Sequence, residues 1–340
     1  MIPESRSRIS HRWLRASVRY QPIDNLPSAY RVLPYAIDLK LNGFTNCDVY
    51  NLRTFAPCPI VCAKWFEEFR DRVTTAIGQS YLPVCRLADG EFLFMLGFQP
   101  PTLRYGWRYP FLFVQWLMAK YRPRKRLRAG GTHQTKPLYA SGTYSSTELV
   151  QIKRTYGKIL QQVAQRGVIA ADLSFCAVPF QDHFFPALRR WFNDHRISLT
   201  ERNYVPFYFV YALLTGPDRH RVLCGRRVLV IHSATGPKQD AIKSSLIREG
   251  AKEVLWHAIS TSRSLYDVIP VEQFVGAVDL CVFGAGIGKP AILAQLEPLG
   301  VPCIDAGYVM EVWADPSVAK SRIFTQPDAF DAAACGTAAQ

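Results

Sequence analysis

The chain has 340 residues, 49% of them apolar, enough for one large core or two modest ones, so a wholly disordered protein is excluded. Its nine cysteines are scattered without a Cys-x-x-Cys pair, which argues against both a zinc framework and a disulfide scaffold, and several, such as Cys281 and Cys303, lie in apolar runs as small hydrophobes. The net charge of +14 points to partners that are polyanionic or carry phosphate.

The first 20 residues hold Arg6, Arg8, Arg12, Arg15 and Arg19 but no apolar core of a secretory signal, so a cytoplasmic location is expected. Residues 1–55, interrupted by Pro3, Pro22, Pro27 and Pro34, read as an N-terminal extension. A domain over 56–320 and a flexible tail over 321–340 complete the expected division. Pro59 to Gln79 sets Val61, Trp65, Phe69 and Val73 against interleaved charges and reads as an amphipathic helix. Leu82 to Leu87 reads as a strand, broken at Ala88-Asp89-Gly90 before an apolar helix from Glu91 to Gly97. The acidic residues Asp89 and Glu91 thus fall on a strand-to-helix turn.

Between Phe92 and Thr147 there is no Asp or Glu, while Arg104, Arg108, Lys120, Arg122, Arg124, Lys125, Arg126, Arg128 and Lys136 concentrate the positive charge. Tyr105, Trp107, Tyr109, Phe111, Phe113, Trp116 and Tyr121 interleave with them. This segment reads as an insertion over about 100–146 with one helix near Phe111 to Tyr121. The run Tyr109 to Ala119 is too short to span a bilayer, so no transmembrane helix is expected. The 104–128 stretch suits peripheral contact with an anionic membrane face, or a core-facing helix with a solvated basic flank.

A helix over Ser146 to Arg166, a strand over Gly167 to Asp172 and a helix near Phe184 to Asp194 follow. Arg202-Asn203-Tyr204 could meet a diphosphate or serve as a cap. Arg227 to His232 reads as a buried strand, Lys238 to Glu249 as a helix, and Val254 to Ile259 and Val278 to Phe283 as further strands. Gly284-Ala285-Gly286-Ile287-Gly288 then leads into a helix expected to run to Leu299, before the strand Pro302 to Asp305. Alternation of strands and helices implies an α/β, Rossmann-like, mostly parallel sheet with helices on both faces, and such sheets bind ligands at the carboxyl ends of their strands.

Four turns at strand ends could share that crevice: Leu87 to Glu91, Ser233 to Lys238, Gly284 to Lys289, and Asp305-Ala306-Gly307. Asp89 and Glu91, one residue apart, could ligate Mg²⁺ or Mn²⁺ shared with a diphosphate, although such tripeptides also occur as solvated helix starts. The Gly284 to Lys289 loop suits close approach of phosphate to backbone, or merely a tight packing turn. Asp305, 21 residues after Gly284, occupies the place of a ribose-binding acid, which admits a nicotinamide-dependent oxidoreductase. The third glycine of that fingerprint is missing, and Pro290 stands where a Walker-type loop needs Ser or Thr. Asp305 and Glu311 are the candidates for a general base, although either could be structural and Glu311 could simply pair with a nearby arginine. His232 ends a buried strand and could touch a nucleotide or be a core histidine. Non-catalytic binding of nucleic acid through the basic insertion is a third possibility and the least expected.

The stretch Arg86-Leu87-Ala88-Asp89-Gly90-Glu91-Phe92 resembles the R-x-G-D-G-E-x signature of the GT-D type of glycosyltransferase. Val228 to Gly250, Asp279 to Gly300 and Pro302 to Tyr308 look like that family's following units, and together the similarity covers roughly residues 80 to 315. Ala88 replaces a usual glycine, Tyr308 stands where histidine is common, and the basic insertion has no counterpart. The resemblance implies metal and nucleotide-sugar binding at the acidic pair but does not carry over the acceptor. With the strand-end loops, the leading expectation is a metal-dependent transferase that moves a hexose from a nucleoside diphosphate sugar, such as a UDP-sugar, to a glycan or lipid-linked acceptor. The resemblance implies Asp89 and Glu91 as residues of a Mn²⁺ or Mg²⁺ site, with Arg86 as a diphosphate or structural partner. Gly90, Gly236, Gly284, Gly286, Lys289 and Gly307 complete the expected nucleotide-sugar contacts.

Overall fold

The computed structural model describes residues 59–87, 89–96, 133–134, 143–144, 146–171, 185–200, 202–205, 207–216 and 218–317. The N-terminal extension, the C-terminal tail and nearly all of the basic aromatic segment expected over 100–146 lie outside the described residues.

Continuous apolar runs become strands buried on both faces. Leu82–Leu87 (β1), Val168–Ala171 (β2) and Pro302–Asp305 (β7) are buried along their whole length, and Leu280–Gly284 (β6) is buried up to its last residue. Arg227–His232 (β4) is buried after its first residue. Glu253–Ala258 (β5) is only half-buried, as suits an edge. Tyr204–Val205 (β3) is a two-residue strand at the other edge, too short to announce itself as a periodic pattern.

These strands form one seven-stranded sheet in the order β3-β2-β1-β7-β6-β4-β5. Every neighbouring pair is parallel. The register sets Val84 opposite Val168 and Ile304, Phe283 opposite Asp305, and His232 opposite Gly284. From β4 the chain crosses outward to β5, whereas from β6 it returns inward to β7. The loops after β4 and β6 therefore diverge, which opens a crevice at the carboxyl ends of the strands.

Helix α1 (Pro59–Ala76) buries Trp65, Phe66, Phe69 and Val73 and leaves Glu67, Glu68, Asp71 and Arg72 exposed. Its aromatic face packs edge-on to Phe209, in the helix Tyr208–Thr215, at centroid distances of 5.1 Å for Trp65 and 5.4 Å for Phe66. Helix α2 (Asp89–Leu96) follows β1 directly, and α3 (Ser146–Arg166) and α4 (Phe185–Asp194) lie within the spans expected from sequence. The helices Tyr208–Thr215 and Arg219–Leu223 are α5 and α6, and Pro237–Arg248 is α7. The long helix expected after Gly288 is instead a 3₁₀ turn, the five-residue α8 (Lys289–Leu293) and a second 3₁₀ turn at Glu297–Leu299. Pro298 has no N–H to continue an α-helical ladder, and the Gln295 side chain bonds the Ile269 N–H and the Asp267 carbonyl of a neighbouring loop. The short helix α9 (Val309–Ala314) follows β7.

Buried pairs tie the layers together. Arg219 donates from Nε to Glu249 Oε2 at 2.5 Å, both side chains buried. Cys85, Cys281 and Cys303 are free buried thiols, as expected for Cys281 and Cys303, whereas Cys224 is disulfide-bonded. No helix among the described residues is long and apolar enough to cross a membrane.

Candidate active site

A cleft of about 490 Å³ lies over the carboxyl ends of β1, β4, β5, β6 and β7. Arg86 and Glu91 reach it from the turn after β1, His232, Ser233 and Lys238 from the turn into α7, and Ser260 and Ser264 from the loop after β5. Gly284, Gly286 and Lys289 come from the turn after β6, and Asp305, Gly307, Tyr308 and Glu311 from the end of β7 and α9. The expected site residues Arg86, Glu91, Gly284, Gly286, Lys289, Asp305, Gly307 and Glu311 are thus brought together. Gly236 caps the start of α7 but does not line the cleft. Asp89 and Gly90 open α2, and their surroundings lie outside the described residues.

At the floor sits a buried charge cluster. Lys289, 3% exposed, directs its ammonium to Glu91 Oε1 at 2.8 Å, Asp305 Oδ2 at 2.8 Å and the Arg86 carbonyl at 3.0 Å. Burial alone would lower the Lys289 pKa, but Asp305 and Glu91 outweigh it and hold the group above the ordinary lysine range. Asp305 Oδ2 also accepts the Arg86 backbone N–H at 3.2 Å, while its Oδ1 has no hydrogen-bond partner.

Arg86 is 6% exposed, and its Nε donates to the Asp305 carbonyl at 3.0 Å. Its guanidinium lies over the Tyr211 ring, 4.7 Å from the centroid. A Cβ at Gly307 would lie 1.6 Å from Arg86 Nη2, so the absence of a side chain there makes room for the guanidinium. Arg86 Nη1 is buried without a hydrogen-bond partner. A buried charged donor left unsatisfied is costly, which makes this atom a candidate contact for an anionic ligand.

At the rim, Lys238 Nζ pairs with both oxygens of Glu311, at 2.6 and 2.8 Å, on side chains about 40% exposed. His232 Nδ1 accepts the Ala234 N–H at 3.0 Å, which leaves the ring proton on Nε2. Burial and then the nearby Lys238 push the His232 pKa down to about 4, against a smaller opposing effect of Glu311. His232 is therefore a neutral donor at neutral pH.

Several expectations change in this light. Asp305 has no exposed surface and is held by Lys289 and Arg86, so it is poorly placed to grip a ribose or deprotonate an acceptor. The strand and glycine turn of a dinucleotide site are present, but its long helix is not, because α8 has only five residues. Asn203, read as a diphosphate contact or cap, binds the Ala164 and Ser198 carbonyls and the Thr200 N–H, and it stands at the amino end of β3, away from the cleft. The divalent ion expected at Asp89 and Glu91 does not fit at Glu91 as the cluster stands, because the Lys289 ammonium already holds that carboxylate. Among the described residues no group of three His, Cys, Asp or Glu side chains converges as a metal site. Sequence reasoning named Lys238 only as the end of a crevice turn, not as the partner of Glu311, and missed Tyr211, whose only signal was an aromatic-rich α5.

No protein-family model and no curated protein matches the sequence. Among solved structures, the chain is similar to one described as a new glycosyltransferase (DUF1792) from Streptococcus sanguinis, with 10% identity and a TM-score of 0.46 over 76% of this chain and 85% of that one. A second, described as the highly conserved domain of unknown function 1792 with a distinct glycosyltransferase fold, shares 12% identity with a TM-score of 0.43, over 75% of this chain and 87% of that one. At this level of similarity the chemistry of the site rests on its own residues.

Proposed function

We propose that the protein is a glycosyltransferase that moves a hexose from a nucleoside diphosphate sugar, a UDP-sugar in the first instance, to a glycan or lipid-linked acceptor. The observation that carries this reading is the Arg86 guanidinium, buried beside a strand-end cleft with its Nη1 unsatisfied. A diphosphate oxygen would satisfy that donor with a charge-assisted hydrogen bond. The neutral His232 Nε2–H and the first turn of the twelve-residue α7 add donor capacity at the same edge.

The chemistry required is displacement at the anomeric carbon. The bond from that carbon to the diphosphate oxygen breaks while a bond to the acceptor oxygen forms, and the acceptor proton must go to a base. Glu311 suits the base role better than Asp305, because its pair with Lys238 is solvent-exposed at the rim and therefore weak, whereas Asp305 is sealed against Lys289. Arg86 and His232 would receive the charge that develops on the departing diphosphate. Because Lys289 holds Glu91, no step is assigned to a metal ion at that residue. The basic 104–128 segment lies outside the described residues; its composition supports docking at an anionic membrane face where a lipid-linked acceptor resides.

A thermal-shift panel of UDP- and GDP-sugars, NAD⁺ and NADH, followed by donor hydrolysis and transfer assays, tests the reading. Stabilisation by nucleotide sugars that is lost in Arg86→Met is the expected result. Stabilisation by NAD(H) alone, or equal response of wild type and Arg86→Met, would refute it.

A further inference from the structure

We propose that the Lys289 ammonium takes the cation position of the Asp89-Gly90-Glu91 motif, so that Glu91 ligates no divalent ion in this protein. The inference deepens the transferase reading and rests on it for its consequence, which is that charge at the cleft floor is supplied by a side chain and not by a metal.

The geometry is that of a filled site. An ammonium has three hydrogen-bond donors, and Lys289 meets three oxygens, Glu91 Oε1, Asp305 Oδ2 and the Arg86 carbonyl, at 2.8, 2.8 and 3.0 Å. Lys289 is 3% exposed, Glu91 7% and Asp305 0%, so the contacts are largely shielded from solvent. Among the described side chains of the cluster, two cations, Arg86 and Lys289, balance two anions, Glu91 and Asp305. A metal on Glu91 would lie within a few ångströms of the ammonium and be repelled by it, whereas removal of the ammonium would bury two carboxylates without their partner.

Lys289 also has little freedom to withdraw. It begins α8 between Gly288 and Pro290, and Gly288 is packed so closely that an added Cβ would lie 2.3 Å from Ser264 Oγ. The Ser264 hydroxyl in turn donates to the Ala285 carbonyl at 2.9 Å, which fixes the turn that carries the lysine. Removing the ammonium while keeping the carboxylates should therefore turn a lysine site into a cation site.

The test is Mn²⁺ binding to the full chain, followed by electron paramagnetic resonance, for wild type, Glu91→Gln, Lys289→Met and the double variant. Nucleotide-sugar binding in EDTA is measured on the same samples, so that failure of this inference and failure of the transferase reading separate. Glu91→Gln should leave the Mn²⁺ affinity of the wild type unchanged, while Lys289→Met should gain roughly tenfold or more, a gain erased by adding Glu91→Gln. Loss of wild-type Mn²⁺ binding on Glu91→Gln would overturn the proposal, as would a folded Lys289→Met that gains nothing. Should Lys289→Met not fold, the wild-type and Glu91→Gln comparison decides alone.

Discussion

Two glycines in the left-handed region separate backbone strain from a specific steric role. Gly300 has φ +66° and nothing within 4 Å of where a Cβ would stand, so Gly300→Ala should cost only the left-handed conformation, about 1 kcal/mol. Gly307 has φ +49° as well, but its added Cβ would sit 1.6 Å from Arg86 Nη2 and 2.5 Å from Cζ. The guanidinium is buried against Tyr211 and bonded to the Asp305 carbonyl, so it cannot swing into solvent to relieve the overlap. Gly307→Ala should therefore add the loss of a charged hydrogen bond, about 1.5–3 kcal/mol, for a total of about 2.5–4 kcal/mol. That is survivable for a domain of ordinary stability, roughly 5–15 kcal/mol. Urea unfolding of both variants reads the difference, and binding of a UDP-sugar should be weakened by Gly307→Ala and spared by Gly300→Ala. Equal unfolding midpoints and equal ligand affinities in the two variants would refute the role given to Gly307 and to the Arg86 position it permits.

His232 gives a pH signature. Its folded pKa of about 4 lies below the ordinary 6.5, so as pH falls the unfolded chain is protonated first and stability drops between those values, by at most about 3 kcal/mol. Urea unfolding from pH 7 to 4 should show a shallower loss in His232→Gln than in wild type; parallel curves would contradict the assignment. Glu311→Gln should lower the turnover of transfer by roughly 10²–10⁴-fold while leaving donor affinity nearly intact, and a variant of unchanged rate would remove Glu311 as the base. Arg219→Met strands the buried Glu249 carboxylate, and equilibrium unfolding should register a loss of about 3–5 kcal/mol. A loss near zero would mean that the pair contributes nothing.

The frame of the fold was legible because the strands are hydrophobic on both faces. Leu82–Leu87, Arg227–His232 and Pro302–Asp305 are bounded as the apolar runs suggest, since a strand inside a parallel sheet has no polar face to disguise it. Tyr204–Val205 escaped notice because two residues carry no period, and Gly288 to Leu299 misled because its apolar spacing is helical while Pro298 and the Gln295 side chain divide it. The turns that build the cleft were legible from glycines and acids at strand ends. What stayed hidden is how residues far apart in the chain share charge. Glu91, Lys289 and Asp305 each looked like a ligand contact, and spacing along the chain says nothing of the cluster that sets the first two against each other and seals the third.

Isothermal titration of a UDP-sugar into wild type and Arg86→Met tests the central claim most directly, because it asks whether the buried guanidinium is a diphosphate contact. Saturable binding to the wild type, weakened roughly 10- to 100-fold in an Arg86→Met variant of native circular dichroism, is the predicted result. Absence of binding by the wild type, or equal affinity in both proteins, would contradict the account.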